Sequence, residues 1–171
     1  LERGKYTVQV LGNLETAVDL DPENLEALER EGAELVPVSS LSDSSLPDID
    51  ALYIGGGFPE THAEALSANR DLMDAVKTAA GNGMPIYAEC GGLMYLCRSI
   101  RWGDRRCEMA GIIPADVVMD SRPQGRGYVR IEETPSHPWP RTAGEGALVP
   151  AHEFHYSHLE QVDPGLQFAY R

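Results

Sequence analysis

The stretch that decides the fold is MPIYAECGGLMYL, residues 84–96. Its first four residues predict a buried strand and its last four predict the first turns of a helix. Cys90 lies between them and is followed at once by Gly91 and Gly92, a pattern typical of a nucleophile elbow, where glycines let a substrate approach. The adjoining helix N-terminus offers free N–H groups and a positive dipole end, which favour a thiolate. The same stretch also fits a buried structural cysteine beside a glycine helix cap, and both interpretations stay open on this stretch alone.

Strand and helix patterns alternate on the N-terminal side of this stretch. We predict strands over residues 6–11, 34–38 and 51–54. We also predict one helix from Pro22 to Gly32, with Asp21 as its N-cap, and a second helix over residues 69–80. The alternation predicts an α/β, flavodoxin-like fold with an open, mostly parallel sheet and helices on both faces. Sites in such sheets lie beyond the carboxyl ends of strands, and both Cys90 and the run Gly55-Gly56-Gly57 occupy such positions.

The pattern changes after Ile100. Short β-like pieces follow at residues 111–119, 128–132, 147–155 and 167–170, separated by proline and glycine. They predict an antiparallel C-terminal extension of the same domain, so residues 1–171 are expected to form a single domain. The chain begins at Leu1 and stops inside an apolar stretch, from which we expect a piece cut from a longer polypeptide.

Composition limits the possible partners. The chain has 171 residues, 42% of them hydrophobic and 24% charged, which is typical of a globular domain. Its net charge of −13 argues against a nucleic-acid partner. No apolar run is long enough to span a membrane, so no membrane partner is expected. Three cysteines without CxxC spacing do not suggest a disulfide framework, and we expect a cytoplasmic protein.

A thiol nucleophile needs a base, most often histidine. Of the five histidines, three lie in the segment His152-Glu153-Phe154-His155-Tyr156-Ser157-His158. If this segment is a strand, Glu153, His155 and Ser157 share one face while His152 and His158 share the other. The three histidines would then not converge on one ion, and no metal is expected. His155 alone could equally be a core or edge histidine, and Cys90 is what makes it a candidate base.

The triple glycine also has two interpretations. It can be an ordinary tight turn after a strand, or it can supply backbone N–H donors to a developing oxyanion. The chain contains neither a P-loop pattern nor a Gly-x-Gly-x-x-Gly after a strand. We therefore expect no nucleotide site and no cofactor in this domain.

The order of these motifs resembles the class I glutamine amidotransferase domain. The finer resemblance is to the glutaminase domain of cobyrinic acid a,c-diamide synthases and their close relatives, from about Pro22 onward. The segments that carry it are residues 35–37, 52–60, 85–96, 125–128 and 152–157.

This resemblance implies a glutamine amidotransferase that splits glutamine through a Cys-His thioester mechanism. Cys90 is then the nucleophile and His155 the base, and the N–H groups of Gly91 and of the loop glycines Gly56 and Gly57 form the oxyanion hole. The family further implies that the ammonia passes to an upstream synthetase domain that uses MgATP. That domain amidates carboxylates of cobyrinic acid or a related tetrapyrrole, a ligase reaction of cobalamin biosynthesis.

Two departures from the family's pattern bear on this interpretation. Many class I amidotransferases carry a glutamate two residues after the histidine, where this chain has Ser157. Residues 13–21 also lack the Arg-Asp and aromatic residues usual at that point. This segment favours the first of two alternatives, a non-catalytic docking or regulatory domain of the same fold. The second is a cysteine hydrolase on the same scaffold.

Overall fold

The computed structural model describes residues 22–139 and 146–171 in full and the backbone of residues 6–11. The helices are α1 (Pro22–Arg30), α2 (Ala63–Ala68), α3 (Arg70–Gly81) and α4 (Gly91–Leu96), and a 3-10 turn covers Pro59–His62. The strands are β1 (Tyr6–Leu11), β2 (Ala33–Val38), β3 (Ala51–Ile54), β4 (Ile86–Ala88), β5 (Ser99–Trp102), β6 (Arg105–Glu108), β7 (Asp116–Met119), β8 (Gly125–Glu132), β9 (Leu148–His155) and β10 (Ser157–Glu160).

The N-terminal half forms the predicted parallel sheet. Its strand order is β2-β1-β3-β4, and every neighbouring pair is parallel. Side chains of β3 alternate between the two faces, since successive residues of a strand point to opposite sides. Tyr53 packs against Leu25 and Leu28 of α1. Leu52 and Ile54 belong to the main core, which α3 covers with residues Leu72, Met73 and Val76. Helices therefore cover both faces, as predicted.

The C-terminal half is only partly the predicted antiparallel extension. A second sheet has the order β10-β7-β5-β6, and its β5–β7 pair is parallel. Strands β8 and β9 form a separate two-stranded antiparallel ribbon, in which Gly125 pairs with His155.

Strand bounds in this half correct several predictions. Strands β5 and β6 were not predicted, although the Gly103-Asp104 turn between them is a known hairpin signal. The strand predicted over 111–119 begins only at Asp116, because the N–H groups of Ile112 and Ile113 bond the Leu96 carbonyl at the end of α4. Residues 167–170 form no strand and meet the chain beyond β8 through an isolated bridge between Tyr170 and Glu133.

The described part of the chain contains no helix that is both long and apolar enough to cross a membrane. The Asp21 N-cap and the atypical segment 13–21 lie outside the described residues.

Candidate active site

Cys90 lies on the turn between β4 and α4. Its backbone has φ 46° and ψ −108°, a conformation that residues other than glycine rarely adopt. The Gly92 N–H donates to the Glu89 carbonyl at 2.7 Å and closes the turn. Cys90 is exposed, whereas Cys97 is buried and Cys107 is partly buried. A strained, exposed cysteine between a strand and a helix has the geometry of a nucleophile elbow.

The glycine-rich loop after β3 packs directly against this turn. A Cβ on Gly91 would lie 2.7 Å from the Gly57 carbonyl oxygen and 2.8 Å from Pro59 Cδ. A Cβ on Gly92 would lie 2.5 Å from the Ile54 carbonyl oxygen. The sequence pattern suggested that these glycines admit a substrate, and the structure shows that both are also required where the two backbone segments meet. Gly57 itself has φ +124°, which a side chain would strain.

Residues before the cysteine anchor the turn. The Glu89 N–H donates to the Ile54 carbonyl at 3.0 Å, which ties the turn to β3. The Glu89 carboxylate accepts a hydrogen bond from Tyr87, and burial together with this bond raises the pKa of Tyr87 well above its usual range. Tyr87 stacks on Tyr53 with ring centroids 5.7 Å apart. Sequence reasoning assigned no role to Tyr87 or Glu89, because the contact between β3 and β4 side chains is not visible in a local pattern.

His155 ends β9, on the less exposed face of that strand. Its Nδ1 lies 2.7 Å from the main-chain carbonyl oxygen of Ser157. A carbonyl only accepts hydrogen bonds, so Nδ1 carries the proton and Nε2 of the neutral ring keeps a free lone pair. That tautomer suits a general base acting through Nε2.

Strand β8, opposite His155, leaves space for the imidazole ring at Gly125. A Cβ on Gly125 would collide with Nε2 of His155 and would lie 2.8 Å from Cδ of Glu153. The His155 carbonyl accepts the Gln124 N–H at 2.9 Å, and the Tyr156 carbonyl accepts the Asp120 N–H at 2.7 Å. The sequence alone assigns no role to the motif at residues 125–128, and the structure shows that its first glycine leaves room for the imidazole.

The other histidines of the segment lie elsewhere. His152 is on the exposed face of β9, where its ring contacts Tyr128 edge-on at 5.6 Å. His158 lies on β10, and its Nδ1 and Nε2 face Asp120 at 2.6 Å and Glu160 at 3.3 Å. When His158 is protonated, one ring N–H faces the Asp120 carboxylate and the other faces the Glu160 carboxylate, so the ring cannot act as a base.

One geometric prediction is therefore corrected. The chain bends at Tyr156, and β10 begins at Ser157 and pairs with β7 of the second sheet. The alternation of faces stops at that bend, so His152 and His158 do not share a face of one strand, and Ser157 does not continue the face of Glu153 and His155. Among the residues that the structure describes, no group of three or more His, Cys, Asp and Glu side chains is placed to hold a metal ion.

A parallel sheet of order β2-β1-β3-β4, with helices on both faces and a cysteine elbow after β4, is the flavodoxin-like architecture predicted from the sequence. Solved structures share this fold. A crystal structure of a glutamine amidotransferase matches with a TM-score of 0.64 and 21% identity over 96% of this chain and 79% of that chain. A glutamine amidotransferase from Thermotoga maritima matches with a TM-score of 0.63 and 10% identity over 93% of this chain and 64% of that chain. At these identities the likeness shows the fold alone.

Sequence comparison identifies the family. Residues 11–170 match the CobB/CobQ-like glutamine amidotransferase domain, and the chain belongs to that family. The cobyrinate a,c-diamide synthase of Magnetococcus marinus is 47% identical over 88% of this chain and 32% of its own length. That of Caldanaerobacter subterraneus is 46% identical over 81% of this chain and 30% of its own length. The predicted family, fold class and enzyme class are thus confirmed, while the chain spans about a third of the length of these relatives.

Proposed function

We propose that this chain hydrolyses glutamine to glutamate and ammonia through a covalent thioester on Cys90, with His155 as the base. The observation that supports this most directly is the hydrogen bond from Nδ1 of His155 to the Ser157 carbonyl, which leaves Nε2 free to accept a proton. The exposed, strained position of Cys90 supports its role as the nucleophile.

The first half of the reaction forms the thioester. Nε2 of His155 accepts the proton of the Cys90 thiol, and Sγ attacks the carboxamide carbon of glutamine. The carbonyl π electrons move to oxygen, where N–H groups of Gly91 and of the loop glycines Gly56 and Gly57 would stabilise the charge. When the intermediate collapses, the C–N bond breaks, and the proton on Nε2 passes to the departing nitrogen as ammonia forms.

The second half regenerates the enzyme. Water attacks the thioester carbon while Nε2 of His155 accepts one of its protons. The C–S bond then breaks, glutamate leaves, and the proton returns to Sγ of Cys90. No metal or organic cofactor enters this scheme.

Since the relatives are named cobyrinate a,c-diamide synthases and are about three times as long, we propose that the ammonia passes to a synthetase domain that binds MgATP. There it would amidate carboxylates of cobyrinic acid or a related tetrapyrrole, a ligase step of cobalamin biosynthesis in the cytoplasm. The strongly acidic charge of the chain supports the prediction that it has no nucleic-acid partner.

The test is labelling with a diazo-ketone analogue of glutamine, followed by mass spectrometry and a glutamate-release assay. Label on Cys90, with Cys97 and Cys107 spared, and loss of glutamate release in Cys90→Ser are the expected results. Preferential label on Cys97 or Cys107 would overturn the assignment. A protein that binds the synthetase portion but neither labels nor releases glutamate would be a docking domain, and hydrolysis of thiol-protease substrates would indicate a cysteine hydrolase.

A further inference from the structure

A carboxylate does lie next to His155, but it comes from the residue two positions before the histidine. Glu153 and His155 lie on the same, less exposed face of β9, as the two-residue period of a strand requires. Oε2 of Glu153 is 3.6 Å from Nε2 of His155. The position two residues after the histidine holds Ser157, which contributes its carbonyl oxygen to the ring.

Other charged groups near this segment are directed elsewhere. The facing strand β8 presents Gly125 and Gly127 opposite His155 and Glu153, and neither carries a charge. The turn before β8 contacts the His155 segment through the backbone N–H groups of Asp120 and Gln124. The carboxylate of Asp120 bonds His158. Among the residues that the structure describes, Glu153 is therefore the one whose carboxylate lies within 4.0 Å of a ring nitrogen of His155, and the contact becomes an ion pair when the ring is protonated.

The absence of a side chain at position 125 makes this arrangement possible. A Cβ there would meet both the imidazole of His155 and Cδ of Glu153. Both groups therefore lie against the Gly125 backbone, and Glu153 is kept close to Nε2.

We propose that Glu153 is a positioning residue whose negative charge stabilises the imidazolium that His155 becomes when Nε2 takes the Cys90 proton. This inference rests on the proposed glutaminase function. At 3.6 Å the contact is longer than a hydrogen bond, so Glu153 acts as a charge, accepts no proton and leaves Nε2 open to Sγ. Because both side chains are about two-fifths exposed, at 41% and 42%, the effect is modest.

The test compares Glu153→Gln with the unmodified chain. The rate of Cys90 labelling by the diazo-ketone analogue, and kcat/KM for glutamine, are measured from about pH 5 to about pH 9. Loss of the charge removes the stabilisation of the imidazolium and makes Nε2 of His155 a weaker base, which should lower the rate up to about threefold at neutral pH, where the Cys90 thiol must give up its proton. The rates should converge with those of the unmodified chain at alkaline pH, where the thiolate forms without help. Glu153→Asp keeps the charge and should restore most of the rate.

The matched control is Glu160→Gln, which removes a carboxylate from Nε2 of His158 and should leave the rate unchanged at every pH. An unchanged rate at neutral pH in Glu153→Gln would overturn the proposal, and so would an equal loss at every pH, which would indicate a packing role. If the unmodified chain fails to label at Cys90, the proposed function itself fails, and the two failures are therefore distinguishable.

Discussion

The imidazole Nδ1 of His155 lies 2.7 Å from the main-chain carbonyl oxygen of Ser157, which serves as its hydrogen-bond acceptor. Where many amidotransferases use a glutamate side chain at that sequence position, this chain uses its own backbone. Because the acceptor is a peptide oxygen, it survives any side-chain substitution that keeps the local conformation.

Ser157→Ala should therefore have little effect on catalysis. We expect kcat for glutamine hydrolysis to fall by less than about twofold, since the carbonyl stays and no base is lost. Steady-state kinetics check this. A loss as large as that caused by His155→Ala would mean that the Ser157 hydroxyl, and not the carbonyl, matters to the base.

His155→Ala should lower glutamine hydrolysis by a factor of about 10²–10⁴, the usual contribution of a general base. His152→Ala removes an exposed ring on the opposite face of β9 and should cost much less. His158→Ala should also retain most activity, because its two ring nitrogens face Asp120 and Glu160. Circular dichroism verifies that each variant is folded. Equal loss from all three substitutions, with zinc in the purified protein, would instead favour a metal site.

Gly125→Ala should strongly reduce kcat while the protein stays folded. The added methyl would displace the His155 ring and the Glu153 carboxylate. Gly81→Ala is the control, because a Cβ at that helix end meets no atom within 4 Å. Near-normal kcat in Gly125→Ala would show that the ring position is not critical. Thermal melting separates this result from simple unfolding.

The stability of the domain should depend on pH through His158. Hydrogen bonds to Asp120 and Glu160 raise the pKa of His158 above its ordinary value. Its stabilisation is fully present below the ordinary pKa of about 6.5 and is lost as pH rises through the raised value. Denaturant midpoints of the unmodified chain should therefore decline over that window, and His158→Gln should flatten the decline. An equal slope in both proteins would assign the pH dependence to other groups.

The isolated chain should fold but hydrolyse glutamine slowly. The run Gly55-Gly56-Gly57 must place N–H donors within reach of the oxyanion, and glycine constrains that backbone least. We expect the synthetase portion with ATP to raise kcat, since its docking would order the loop. Steady-state glutaminase kinetics with and without that portion provide the measurement. If the isolated chain is already as fast, the site is preorganised without a partner.

Local sequence patterns determined the parallel sheet, the elbow at Cys90 and the shared face of Glu153 and His155. Each depends on hydrophobic periodicity or turn chemistry within a few residues of the chain. The net charge of −13 likewise argues against a nucleic-acid partner without reference to any fold, and this stays a prediction.

Tertiary structure alone decided three features of the site. The bend at Tyr156 separates His155 from His158, because β10 pairs with β7, a strand distant in sequence. The close contact between Gly57 and Gly91 forms only because the loop after β3 meets the start of α4. The acceptor for His155 is the backbone carbonyl of Ser157, a group that every residue possesses, so the residue type at position 157 does not predict this hydrogen bond. Pairing between distant segments and the direction of a backbone carbonyl leave no local signature, which is why these features could not be predicted from the sequence.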